Sequence, residues 1–228
     1  MRKYGIHLLL FVITCITTTL AGAEWIYGKP ILGGPEGEII APWFSWDKFW
    51  GGTLYSIPFL TFLTCHEFGH YFMARFYRVR VSLPFYIPLW FGLITSIGTM
   101  GAFIQIKERL HTRKEFFDIG IAGPLAGFII ALGVLIYGYT HLPPPEYVLE
   151  IHPEYVSEFP EDYARYGFDY SEYAYRYPDN KANREAGVAG EPLPEQLFMA
   201  VGKNLLMLLM EQILVDDPSR IPHPYEMM

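Results

Sequence analysis

His66-Glu67-Phe68-Gly69-His70 sets two imidazoles four residues apart, with a carboxylate beside the first. On a helix, residues four apart lie one turn apart on the same face. His66 and His70 can then share one metal ion, and Glu67 can reach a water bound to that ion. Two histidine ligands with a neighbouring general base form HExxH, the zinc-protease arrangement. A soluble helix with a buried, hydrogen-bonded histidine pair would leave Glu67 unexplained.

The stretch that must position these residues is apolar. From Gly51 to Ala74 the only charge is Glu67. A helix of that length can span a bilayer core of about 30 Å. A carboxylate in mid-span costs about 2.5–3.5 kcal/mol on insertion scales, so it is a functional candidate by default. The run ends at Arg75, Arg78 and Arg80, which marks a cytoplasmic end.

Composition points the same way. Hydrophobic residues are 51% of 228, and the mean hydropathy is positive. The net charge of −7 argues against a nucleic-acid partner, because phosphate binding needs basic surface. The two cysteines, Cys15 and Cys65, both lie in apolar runs and suggest neither a disulfide framework nor a cysteine-based zinc site.

The remaining segments predict a mainly α, polytopic membrane protein. It would have three transmembrane helices, a re-entrant hairpin, an acidic extramembrane insert and an amphipathic helix. Arg2 and Lys3 precede the apolar run Ile6–Leu20, so the N-terminus is expected in the cytoplasm. A retained first span is favoured over a cleaved signal peptide, because later runs already require a membrane. Residues 24–50, rich in Trp, Gly and Pro, read as an interfacial loop. The run Val81–Ile106 has basic residues on both sides and is broken by Pro84, Pro88, Gly92, Gly98 and Gly101. A re-entrant element that dips in and returns keeps both basic clusters on one side. Residues 115–141 form the next span, and Gly120-Ile121-Ala122-Gly123-Pro124-Leu125-Ala126-Gly127 gives it a small-residue face for packing on the motif helix. Asp118 reads as a helix-start or supporting carboxylate.

These spans make residues 1–141 a membrane core. Residues 142–195 form an acidic, Tyr-rich insert. From Glu146 to Glu195 there are twelve acidic and four basic residues, a net of −8, which fits the non-cytoplasmic side. Such tracts are usually loosely folded. Residues 196–228 hold an amphipathic helix, expected from about Gln196 to Val215, and a short lead-in to a further span.

HEFGH in a span, the Gly98–Ile104 run and Ala122–Gly127 together resemble the site-2 protease family of intramembrane zinc metalloproteases. The resemblance covers roughly Gly51 to Tyr139. It implies Zn2+ as cofactor, His66 and His70 as ligands, and Glu67 as catalytic base. It also implies that Gly98, Thr99, Met100, Gly101, Ala102, Phe103 and Ile104 form a strand that holds substrate in extended form; strand addition would give a helical substrate a place to unwind. The expected reaction is hydrolysis of peptide bonds in transmembrane protein substrates within the lipid bilayer. Zinc lowers the pKa of its water towards about 7, and Glu67 takes the proton and delivers it to the leaving amine.

One departure matters. The family takes its third ligand from an Asp in a Leu-Asp-Gly stretch on a later span, and this sequence has no such stretch. The insert is also too short for the PDZ domain often found between the family's spans. The expectation is a fragment of a longer protein, nearly inactive alone. The alternative is a catalytically inactive membrane protein that binds transmembrane segments. A soluble zincin is disfavoured by the apolar spans. Substrate and oligomeric state are not legible.

Overall fold

The computed structural model describes residues 2–34, 37–94, 96–141 and 205–214. The elements run α1 (Arg2–Tyr27), α2 (Trp46–Gly51), α3 (Thr53–Phe76), β1 (Phe85–Pro88), β2 (Thr99–Phe103), α4 (Arg113–Thr140) and α5 (Leu205–Leu214). The acidic insert and the rest of the C-terminal segment lie outside the described residues, and α5 falls within the helix expected there.

The first helix outruns its apolar stretch and continues to Tyr27. The expected interfacial loop is therefore shorter than residues 24–50, and it also contains α2. Ser45 caps α2 by accepting the Lys48 backbone N–H, which explains why a helix starts inside this Gly/Pro-rich segment.

Polarity is inverted relative to a water-soluble fold. On α1, Thr14, Thr18, Thr19 and Glu24 are buried while Leu8, Leu9 and Ile16 are exposed. On α4, Gly123 and Gly127 are buried while Phe116, Phe117, Phe128 and Ile129 are exposed. Apolar side chains outward and small or hydroxyl residues inward suit helices that pack in lipid. Two helices, Tyr4–Tyr27 and Arg113–Thr140, are long and apolar enough to cross a membrane. At 24 residues α3 has comparable length, about 36 Å at 1.5 Å per residue, with its hydropathy diluted by the polar motif.

α1 crosses the α2–α3 junction where glycines meet. A Cβ on Gly52 would lie 2.1 Å from the Thr19 carbonyl oxygen, and one on Gly22 would lie 2.4 Å from the Gly52 carbonyl oxygen. The Thr19 and Ser56 hydroxyls hydrogen-bond across the crossing at 2.9 Å.

The run Val81–Ile106 forms an antiparallel hairpin. Phe85 pairs with Phe103, Tyr86 with Ala102 and Pro88 with Thr99, with an irregularity between Tyr86 and Pro88. An isolated bridge between Val81 and Ile106 extends the ribbon towards its open end. β1 leans on α1: His7 Nδ1 donates to the Pro84 carbonyl at 3.0 Å, and the Phe11 ring meets Tyr86 edge-on. Among the described residues β2 pairs only with β1, so its other backbone edge has no strand beside it.

α3 ends in a Schellman turn, with Val79 N–H bonded to the Ala74 carbonyl and Arg78 N–H to that of Arg75. Arg78 takes φ 60°, the place usually given to glycine, at a cost of about 1–2 kcal/mol. Ala74, Val79 and Ile119 form a small core that ties this turn to α4.

Candidate metal centre

α3 puts His66, Glu67 and His70 in mid-helix. The two imidazoles converge: His66 Nε2 lies 3.2 Å from His70 Nε2. Two nitrogens on a tetrahedral zinc, each about 2.0–2.1 Å from it, are about 3.3–3.4 Å apart. The pair thus has the spacing that one zinc ion requires.

The neighbouring helix sets the tautomer. His70 Nδ1 lies 2.6 Å from the Ile119 carbonyl oxygen. A carbonyl can only accept, so Nδ1 carries the proton and Nε2 presents a lone pair to the shared position. A ring N–H held by a backbone carbonyl is the usual outer support of a metal-ligating histidine. His66 lacks that support among the described residues, where its Nδ1 is buried with no hydrogen-bond partner.

Close packing makes these contacts possible. A Cβ on Gly69 would come within 2.5 Å of the Ala122 carbonyl oxygen. A Cβ on Gly123 would come within 2.1 Å of His70 Nε2, and one on Gly127 within 3.2 Å of His66 Nδ1. The small-residue face read from the sequence therefore lies directly over both imidazoles and shapes the space they occupy.

Glu67 is 6% exposed, on the side of α3 that meets the hairpin. The Ile104 backbone N–H lies near its carboxylate. Thr64, one turn earlier, shares a 2.9 Å hydrogen bond with the hydroxyl of Tyr86 on β1. The hairpin is thus fastened to the helix face that carries Glu67.

The expected strand residues divide. Thr99 to Phe103 are β2, and Ile104 follows it to Glu67. Thr99 is buried and turned inward, donating to the Ile87 carbonyl at 2.7 Å. Met100 and Phe103 are exposed. Gly98 packs on α1, where a Cβ would fall 2.4 Å from the Thr18 Cα. Asp118 is occupied by Tyr77, whose hydroxyl donates to it. Among the described residues no third His, Cys, Asp or Glu joins the histidine pair.

Glu24 had no role in the sequence reading. It is fully buried at the end of α1 and accepts from Ile31 N–H and Trp90 Nε1, each at 3.0 Å. Its only signal in the sequence was that no other Asp, Glu, Lys or Arg lies between Lys3 and Lys29. The Ile119 carbonyl and the Ile104 N–H left no signal, because they are backbone groups.

Paired imidazoles one turn apart, a dry carboxylate beside them and helices with apolar exteriors define a metallopeptidase-like site in a membrane-type helical scaffold. The profile of Peptidase family M50 matches residues 54–216, and the chain belongs to that family, the membrane-embedded site-2 proteases. "Probable zinc metalloprotease EGY1, chloroplastic" of Oryza sativa subsp. japonica is 40% identical over 73 residues, which is 32% of this chain and 12% of that protein. "Probable zinc metalloprotease EGY2, chloroplastic" of Arabidopsis thaliana is 33% identical over 84 residues, 37% of this chain and 14% of that protein. The Arabidopsis thaliana EGY1 protein is 34% identical over 79 residues, 35% of this chain and 14% of its own length. The matched region is thus a small part of each relative. No solved structure matches the chain.

Proposed function

We propose that this chain supplies two zinc ligands, His66 and His70, and the catalytic base, Glu67, of an intramembrane endopeptidase that cleaves transmembrane protein substrates. The observation that carries this reading is the 3.2 Å approach of the two Nε2 atoms under a helix whose glycines leave room for them. Zinc, when bound, supplies Lewis acidity and brings the pKa of a bound water to about 7. Glu67 accepts the proton of the attacking water and returns it to the leaving amine. Ile119 holds His70 in the ligating tautomer, and Ile104 orients Glu67. The free edge of β2 takes the substrate backbone as an added strand, with Gly98 to Ile104 as the receiving segment. A substrate helix must unwind to be cut, and strand pairing compensates its lost hydrogen bonds.

The proposed topology has α1, α3 and α4 crossing the bilayer. The N-terminus is cytoplasmic, the hairpin is re-entrant against the water-containing site, and residues 142–195 are outside. With two ligands among the described residues, we propose that the 228-residue chain alone binds zinc weakly and hydrolyses peptide bonds poorly.

The test uses the protein expressed from its full gene, in membranes with a transmembrane reporter. Glu67→Gln should keep its zinc and lose cleavage by about 10²–10⁴-fold. His66→Ala should lose zinc, measured as metal per protein. Undiminished cleavage by Glu67→Gln would leave the binding-only alternative standing and remove the protease reading.

A further inference from the structure

We propose that the end of the bundle where α3 stops and α4 begins is a binding face for anionic phospholipid headgroups. This rests on α3 and α4 crossing the bilayer, and is otherwise independent of the catalytic reading.

Three separate segments deliver basic residues to this end. α3 and its terminal turn bring Arg75 and Arg78; the ribbon's exit brings Lys107 and Arg109; the start of α4 brings Arg113 and Lys114. All six are exposed, and none has a hydrogen bond or ion pair from its side chain among the described residues. They are held together by structure that lies beneath them. Lys107 N–H bonds to the Arg80 carbonyl at 2.8 Å, the Tyr77 hydroxyl donates to Asp118, and Ala74, Val79 and Ile119 close the core under Leu110.

The nearby acids do not neutralise them. Between residues 75 and 118 the acids are Glu108, Glu115 and Asp118. Glu108 is paired with Arg80, Glu115 caps α4 through the His111 and Thr112 N–H groups, and Asp118 is bonded to Tyr77.

Arg78 is the second observation. It occupies a left-handed position that glycine would fill without strain. Strain held at an exposed cation points to a role for the charge. Exposed phenylalanines on the same turns, Phe76, Phe116 and Phe117, place these cations beside an apolar surface. Cations bordering apolar side chains fit a lipid, whose phosphate sits at the edge of its acyl chains, better than a free anion.

The full chain in neutral-detergent micelles is titrated with phosphatidylglycerol or phosphatidylcholine, and retained lipid is counted by native mass spectrometry. Phosphatidylglycerol should bind at least tenfold tighter, with the preference shrinking as salt rises. Each charge removed should cost about fivefold, so Arg78→Gly with Lys107→Gln and Arg109→Gln should cost about a hundredfold. Arg78→Gly alone should melt higher than wild type in the neutral micelle while binding phosphatidylglycerol less, which separates lost affinity from lost folding. Equal retention of both lipids, or an unchanged preference in the triple variant, overturns the proposal. Displacement of phosphatidylglycerol by millimolar inorganic phosphate would also overturn it, by making the face a site for soluble anions.

Discussion

Gly123→Ala should empty the metal centre while leaving the helices intact. The added Cβ would fall 2.1 Å from His70 Nε2, 2.4 Å from Cδ2 and 2.5 Å from Cε1. All three belong to one rigid ring, so the imidazole must swing out as a unit. Swinging it breaks the 2.6 Å bond from Nδ1 to the Ile119 carbonyl. That bond is worth about 1 kcal/mol net, and forced overpacking adds about 1–3 kcal/mol. The ligating pose of His70 is thus disfavoured by about 2–4 kcal/mol, or roughly 30- to 900-fold in zinc affinity. Gly120→Ala is the matched control, one turn away on α4, where an added Cβ meets nothing within 4 Å. Both changes raise helix propensity by about 0.5–1 kcal/mol. The assay is zinc affinity of the protein expressed from its full gene, read by competition with a chelator in detergent, with circular dichroism reporting helix content. Gly120→Ala should bind zinc like wild type, and Gly123→Ala should lose it with unchanged helicity. Wild-type zinc affinity in Gly123→Ala would refute the claim that α4 packing sets the pose of His70.

Two further outcomes follow from groups outside the metal pair. Glu24→Leu strands the Ile31 N–H and the Trp90 indole N–H, for about 2–6 kcal/mol, while Glu24→Gln keeps one acceptor oxygen and should lose about half as much; thermal unfolding in detergent reads the difference, and equal melting of the two variants would contradict it. The Arg80 backbone N–H and guanidinium hold the Glu108 carboxyl below its usual range. A depressed carboxylate pKa contributes stability that is fully present above the unfolded value of about 4.3 and is lost as pH falls through the folded value. The acid-side stability loss of wild type should therefore be steeper than that of Glu108→Gln, as measured by melting temperature against pH.

The parts of this structure that are legible in the sequence are those written in side chains and their spacing. His66 and His70 at four residues can only share a face, and the small residues from Gly120 to Gly127 announce a close helix neighbour. The breaks at Pro84, Pro88, Gly98 and Gly101 favour a re-entrant element over a kinked helical span, and the chain there is a ribbon. The extension of α1 to Tyr27 was less legible. Glu24 and Trp25 look like loop residues until Trp90 and Ser96 come from more than 60 positions away to bond them. A local reading cannot see such a partner. α2 was missed for a different reason, since its six residues rest on one Ser45 cap inside a Gly/Pro-rich stretch.

The outer supports of the site are main-chain groups, and this changes which substitutions should matter. His70 leans on the Ile119 carbonyl and Glu67 lies by the Ile104 N–H, so no second residue can be mutated to remove either contact directly. The contacts exist only while α4 and the ribbon stay at their present distances from α3. Those distances are set by Gly69, Gly123 and Gly127 on one side and by the Tyr86–Thr64 hydrogen bond on the other. Enlarging a small residue should therefore do more damage to the site than removing a nearby polar one. A helix pair held apart by one methyl group loses the carbonyl that selects the tautomer, whereas a lost hydroxyl leaves the backbone where it was.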